Sequence, residues 1–431
     1  MDPSYDAIVI GGGPAGSTFS ALFARGGRRV LVLEKEKFPR FHVGESLLPY
    51  GLPVLERLGA LEKVRRAGFQ EKYGAFIWNE DKESTRPVVF AQANDDKHPM
   101  AYQVKRAEFD DLLLRHAEEL GAEVREEASV REVLFENGRA VGVSVKPAAG
   151  EPYEVRARVI VDASGQTAFL AQKLGTRRFD PKLKRAALFA HYENVPRPEG
   201  RAAGDILLPV EDEVWYWIIP FSDGTSSVGA VFDPKKTDAG APAGEKETPE
   251  GKLERLLNRS ARMKSLMGAG RRTSKVHGIA DYSASSHEFA GNGWVMIGDA
   301  ATFLDPVFST GVFLAMSMGE RAAADVERAL ARRGQVDAGD LRGYSRFARR
   351  LVRRFRKFVD AFYDPVFFEA FCGEAPFDKI RASVTSILAG GVEKVPPLSK
   401  LWIGLMFFGV GFDRFRRRIG LGPKPDESAA A

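Results

Sequence analysis

The stretch Tyr5-Asp6-Ala7-Ile8-Val9-Ile10-Gly11-Gly12-Gly13-Pro14-Ala15-Gly16 decides the fold. Tyr5 to Ile10 reads as a buried strand, and Gly11 to Gly16 as a tight turn opening a helix that runs to about Arg25. Arg29 to Glu34 (RVLVLE) is the next apolar strand, which completes a βαβ start. In this arrangement Gly11 permits the turn, Gly13 lets the backbone approach a pyrophosphate, and Gly16 lets helix and strand pack closely, with Pro14 and Ala15 opening the helix. The free N–H groups and positive dipole end of that helix suit phosphate. Glu34 follows Gly16 by 18 residues, where a carboxylate accepts from ribose hydroxyls.

Outward from this stretch, the chain has the composition of an ordinary globular protein. Its 431 residues are 44% hydrophobic and 28% charged, which argues against extensive disorder, a collagen-like repeat or a multi-spanning membrane protein. A single cysteine, Cys372, cannot form an internal disulfide or a cysteine-based metal cluster. The six histidines show no HxxxH or HExxH spacing, so no metal is expected and the histidines read as structural. No GxSxG elbow is present. No basic-then-apolar leader opens the sequence, and a cytoplasmic location is expected. The net charge of +5 is concentrated in residues 341–358, which hold seven arginines and Lys357. Tyr344, Phe347, Leu351, Phe355 and Phe358 recur there at helical spacing, so the segment reads as an amphipathic helix with a solvated basic face. No nucleic-acid reading motif accompanies it, and nucleic acid is not an expected partner.

Residues 38–49 (FPRFHVGESLLP) form a turn-rich loop before a helix carrying Leu52, Leu55 and Leu58. Residues 72–78 and 86–91 alternate as strands do, and a helix follows Val104-Lys105-Arg106. Strand patterning returns at 123–147, 155–162 and 183–232, and 233–250 reads as an exposed loop. A short strand over Trp294 to Ile297 precedes a helix from about Gly311 to Ala331. Leu401 to Phe412 is an apolar run too short to cross a hydrocarbon core. It reads as a buried helix or the lid of an apolar cavity rather than as a membrane-surface element.

Asp162 in Val161-Asp162-Ala163-Ser164-Gly165 and Asp299 in Gly298-Asp299-Ala300 each follow a strand, where a carboxylate can hold ribityl or ribose hydroxyls. With Gly298 beside Asp299 and Arg106 at the head of a helix, they resemble the FAD-binding fold of aromatic hydroxylases, which implies that Asp162, Gly298, Asp299 and Arg106 contact the cofactor, and FAD is the expected cofactor. Further segments sharpen the likeness: Val43-Gly44-Glu45-Ser46-Leu47-Leu48-Pro49, the WxWxIP motif Trp215 to Pro220, FQEKYGAFIW at 69–78, and Asp305-Pro306 with Ser309-Thr310-Gly311. Over residues 5–335 the chain resembles the flavin-dependent halogenases, in particular their phenol- and pyrrole-halogenating branch.

That resemblance implies an α/β fold: an FAD-binding Rossmann-like core of the aromatic hydroxylase type, a substrate-side β-sheet and a C-terminal helical region. The expected segments are 1–72, 102–182 and 272–335 for the core, 73–101 and 183–271 for the sheet, and 336–431 for the helices. It also implies that FADH2, O2 and chloride or bromide give a flavin hydroperoxide and then hypohalous acid, relayed by Lys72 to a phenolic or pyrrolic ring. Ser309 would hydrogen-bond Lys72, the amides of Thr310 and Gly311 would bind halide, and Glu45 and Ser46 would lie near the flavin. Trp215 and Trp217, on one face of a strand, would wall substrate from flavin together with Phe308. Tryptophan halogenases carry a glutamate where this chain has Phe308, so free tryptophan is not the expected substrate. Only one GxGxxG is present, so a separate NAD(P)H flavin reductase is expected to supply FADH2. Some relatives act on carrier-tethered substrates, and the Arg-rich helix could dock an acidic carrier. Rival readings are a halogenase-like monooxygenase or reductase of a hydrophobic substrate, and a non-catalytic flavin-binding scaffold.

Overall fold

The computed structural model describes residues 5–93, 98–212, 214–237, 247–373, 378–391 and 396–418. Apolar residues of the opening stretch form the Tyr5–Ile10 strand at the centre of an eight-stranded sheet. Its path runs Ala290–Gly291, Trp294–Met296, Tyr153–Asp162, Tyr5–Ile10, Val30–Leu33, Glu123–Arg125, and every pair but the first is parallel. The register sets Ile10 beside both Leu33 and Asp162, and Asp162 beside Met296. The carboxyl ends of four strands therefore finish level. In open α/β sheets ligands bind at that edge. The strands are buried on both faces: helix α1 (Pro14–Arg25) packs against α2 (Arg106–Glu119) and α3 (Thr310–Arg333).

A second eight-stranded sheet is built from Gly74–Asn79, Ser84–Val89 and six strands between Ala186 and Ala280. It is antiparallel except where Ile206–Glu211 runs alongside Gly74–Asn79. Period-two alternation sorts its side chains. Trp215, Trp217 and Ile219 join the main core, whereas Tyr216 and Ile218 face a smaller core beneath the Pro249–Arg259 helix. The strands Arg271–Arg272 and His277–Ala280 still pair with Ala186–Glu193, so this sheet extends past the expected boundary at 271. The expected loop at 233–250 is also partly helical, with Pro234–Thr237 and Pro249–Arg259 forming helices. Residues 238–246 and the Ser-Ala tail lie outside the described residues.

The C-terminal region is helical. In α4 (Arg342–Phe362) Tyr344, Leu351, Phe355, Phe358 and Phe362 are buried, and Arg342, Arg346, Arg350 and Arg353 are exposed. The last described helix, α5 (Pro397–Arg418), corrects the reading of the apolar run. Ile403 and Val410 are buried, but Leu401, Leu405, Phe408 and Phe412 stand in solvent, so the run is neither a buried helix nor a covered lid. Its apolar residues surround the helix, and the neighbouring helices cover one side only. No described helix is long and apolar enough to cross a membrane.

Candidate active site

A cavity of 490 Å³ extends from the glycine turn to the aromatic face of the second sheet. Gly11, Gly13, Pro14, Ala15 and Glu34 line one end. Gly11 has φ +104°, and a Cβ on Gly16 would fall 2.0 Å from the Gly11 carbonyl oxygen. Gly16 therefore serves helix–strand packing and does not line the cavity, while Gly13 caps α1 and leaves its first amides open. The Glu34 carboxylate accepts from the amides of Gly12 (2.8 Å) and Glu36 (2.9 Å), which fixes it beside the turn. Each of its oxygens keeps a lone pair for a sugar hydroxyl.

Arg106 is buried, donates twice to Asp110 (2.6 and 2.8 Å) and once to the Val43 carbonyl (2.6 Å). Arg40 meets the same carboxylate at 2.9 Å. This cluster holds the 43–46 loop against the head of α2 and holds the Asp110 carboxyl below its ordinary pKa, through the Arg106 and Arg40 charges that outweigh burial. Asp299 lines the cavity, accepts from Gln166 (3.1 Å) and is pushed up to about 6 by desolvation. Two residues expected to touch cofactor do not line the cavity. The Asp162 carboxylate is engaged by the amides of Ser164 (3.0 Å) and Leu170 (2.7 Å), stapling the turn after its strand. Gly298 instead packs between Ala15 and Ala315, where a side chain would collide.

Lys72 is buried, and its ammonium donates to Ser46 Oγ (2.7 Å) and the Leu47 carbonyl (3.3 Å), with the Phe90 ring centroid at 5.3 Å. The expected partner was Ser309. Strand pairing explains the difference: Lys72 pairs with Ala101, and Ser46 bridges Gln103 on the same short strand. Ser46 lines the cavity and Lys72 stands behind it. Burial pushes the Lys72 amine down to about 7, against the opposing charge of Asp205. Ser309, at φ +56°, and Gly311 line the cavity where α3 begins, whereas Thr310 is turned into the core.

Trp215 and Trp217 both line the cavity with ring centroids 5.9 Å apart. Trp217 lies across Gly229, where a Cβ would fall 2.4 Å from the indole, and its Nε1 donates to Ser227 (3.1 Å). Trp215 Nε1 donates to the Tyr363 hydroxyl (2.9 Å), which donates in turn to Asp305 Oδ2 (2.9 Å). Asp305 Oδ1 accepts from the Val307 amide (3.0 Å), and burial pushes the carboxyl up to about 6. A chain of hydrogen bonds thus joins the end of α4, the tryptophan and the loop before α3. Phe308 does not wall the cavity as expected; it meets Phe362 of α4 edge-on at 5.6 Å.

Several site residues escaped the sequence reading. His277 stacks on Phe41 at 3.9 Å beside Phe189, and all three line the cavity. His191 Nε2 meets the buried Glu45 carboxylate at 2.8 Å, and His42, also in the wall, is pushed down to about 4 by burial and the Arg106 charge. His42 and His277 thus line the cavity, and His191 stands outside its lining, bonded to Glu45. The one sequence signal for them is the aromatic content of FPRFHVGES, since the stacking arises only when that loop folds onto the second sheet. Among the described residues no group of His, Cys, Asp and Glu is arranged to hold a metal ion.

A groove with this glycine cradle, open helix terminus and ribose-height carboxylate fits a dinucleotide, and its other end is a large aromatic enclosure. The family model described as tryptophan halogenase matches residues 6–86 and 66–367. The chain is 30% identical to the 1H-pyrrole-2-carbonyl-(peptidyl-carrier protein) chlorinase of Pseudomonas fluorescens, over 91% of this chain and 90% of that protein. It is 36% identical to the corresponding brominase of Pseudoalteromonas luteoviolacea, over 76% and 78% of the two chains. The solved myxobacterial chondrochloren halogenase CndH, an FAD-dependent enzyme, superposes with a TM-score of 0.78 at 34% identity, covering 94% of this chain and 97% of that one. The chain therefore belongs to the flavin-dependent halogenases, enzymes of the oxidoreductase type that use FAD.

Proposed function

We propose that this enzyme halogenates a phenolic or pyrrolic ring, with Lys72 as the group that takes up and hands on the halogen. The observation that carries this is a buried amine directly behind the cavity wall, bonded to the wall residue Ser46, whose pKa is pushed down to about 7. A neutral amine has two N–H donors, and Lys72 has two acceptors, Ser46 Oγ and the Leu47 carbonyl. That leaves the nitrogen lone pair for an electrophile. Reduced FAD, when bound, would supply with O2 and halide the hypohalous oxidant. The cradle of Gly11, Gly13 and Ala15, with Glu34, Asp299 and Arg106, would hold that cofactor.

The chain's own residues account for the remaining steps. The Lys72 nitrogen attacks the halogen of hypohalous acid; an N–halogen bond forms, the halogen–oxygen bond breaks, and hydroxide leaves with an amine proton as water. The ring carbon then takes the halogen, the ring loses its proton, and the amine recovers its N–H. Ser46, which lines the cavity, holds the amine just behind the wall, within reach of a small oxidant. The open amides at the start of α3, beside Ser309 and Gly311, attract halide. Trp215, Trp217 and Ile219 keep an organic ring away from the cofactor end. The pyrrole-halogenating relatives support this substrate class, and they act on rings bound to a carrier protein. The exposed arginines of α4 would suit an acidic carrier in the same way.

The test is incorporation. Enzyme loaded with reduced FAD is given oxygenated bromide or chloride buffer and a panel of phenols and pyrroles, free and carrier-bound. Mass spectrometry should show halide-dependent monohalogenated product. Hydroxylated product, or none across the panel, would overturn the reading.

A further inference from the structure

Helix α5 exposes a stripe of large apolar side chains that no part of the described protein covers. Leu398, Leu401, Leu405, Phe408, Phe412 and Phe415 recur every three or four residues, with exposures from 47% at Leu405 to 74% at Phe408. The opposite side is already engaged. Ile403 and Val410 are buried, and Phe407 meets Phe358 of α4 and Phe367 at ring distances of 5.7 and 5.5 Å. The helix is thus apolar on two sides, one facing protein and one facing water. A run of this size on a solvent face marks an interaction surface.

Charge identifies the partner. Lys400 and Arg418 on the same helix are exposed, Arg414 is exposed while pairing with Asp364, and Lys357 of α4 lies 3.8 Å from the Phe407 ring centroid, bringing the basic face of α4 to the edge of α5. A second copy of the chain would bring these cations against their own kind. Between Leu401 and Phe412 the sequence holds only apolar residues and glycine, apart from the Trp402 indole, so a protein partner finds few hydrogen-bonding groups there. A bilayer needs none. Helix α5 is 22 residues long, about 33 Å, and none of the described helices qualifies as a span. We propose that α5 lies in the plane of an anionic phospholipid surface, with Leu401, Leu405, Phe408 and Phe412 in the interface and the flanking cations over the headgroups.

Vesicle co-sedimentation of the full FAD-loaded chain tests this. Binding is expected to phosphatidylglycerol–phosphatidylcholine vesicles, to weaken at least tenfold on phosphatidylcholine alone, and to weaken with salt. The double variant Leu405→Glu, Phe408→Glu, at two exposed positions, should lose binding yet keep its flavin absorbance and melting temperature. Failure of the native chain to sediment with anionic vesicles would overturn the proposal, as would undiminished binding by the variant. A light-scattering mass twice that of one chain, abolished by the same variant and without vesicle binding, would assign the stripe to a second copy instead.

Discussion

Lys72 shows how far a single side chain's environment departs from what its sequence position reveals. FQEKYGAFIW pointed to the residue through resemblance, and the structure adds the environment on which its proposed role rests: full burial, with Ser46 and Leu47 as its hydrogen-bond partners. The pairing of Lys72 with Ser46 was illegible because it depends on two distant segments meeting on the Ala101–Gln103 strand. The depressed pKa has a sign that stability measurements can read. An unfolded lysine stays protonated up to its ordinary value of 10.5, whereas the folded one releases its proton near 7. Between those values the unfolded state binds more protons, so wild-type stability rises with pH by about 1.4 kcal/mol per unit at most. Lys72→Met should therefore be more stable than wild type at pH 7 and below, with the advantage shrinking toward pH 10; chemical denaturation at several pH values measures it. At the turn, Gly16→Ala places a Cβ 2.0 Å from a backbone oxygen and should cost more than about tenfold in FAD affinity. Flavin fluorescence titration checks that, and unchanged affinity would refute the packing argument.

Elements were most legible where one periodicity acts alone. The strand–turn–helix at Tyr5–Arg25 and the alternation of Trp215, Tyr216 and Trp217 follow from residue pattern, because burial on two faces or one dictates the spacing. Asp162, Gly298 and Phe308 were assigned to the cavity wall because they sit at the ends of the right elements, but a turn's own amides, a helix crossing and α4 occupy their side-chain positions. The role of α4 was hidden for the same reason. Its last turn leads to Tyr363, whose hydroxyl links Trp215 to Asp305. Tyr363→Phe leaves a buried indole N–H and a carboxylate oxygen without that partner, a loss of about 1–3 kcal/mol and a fall of several degrees in Tm. Because Trp215 is then free to tilt, the ratio of halogenated product to released oxidant should also fall. A variant with native melting temperature and native product ratio would show that the hydrogen-bond chain does not position the wall.

At the scale of the whole molecule, two sheets meet along one cavity: the parallel sheet presents its carboxyl edge and the antiparallel sheet its aromatic face. In the proposed function, that division lets a dinucleotide and an oxidisable ring share the enclosure with the ring kept from the cofactor end. The glycine turn made the first half readable at once, while the second needed WxWxIP and the family resemblance to be recognised. A single dinucleotide motif in the sequence supports the proposal that another protein reduces the FAD. NADPH with the isolated enzyme should therefore give no multiple turnover, and adding a flavin reductase should give sustained product; robust NADPH oxidation by the enzyme alone would contradict this.

The most direct test of the account compares wild type with Lys72→Met in a single turnover. Both are loaded with reduced FAD, mixed with oxygenated bromide buffer and a ring the wild type accepts, and assayed for brominated product and for free hypobromous acid. The account predicts a folded variant that consumes oxygen and releases hypobromous acid but brominates the ring at less than about a hundredth of the wild-type rate, a loss of at least ~2.7 kcal/mol in transition-state stabilisation. Bromination at the wild-type rate by Lys72→Met would contradict it.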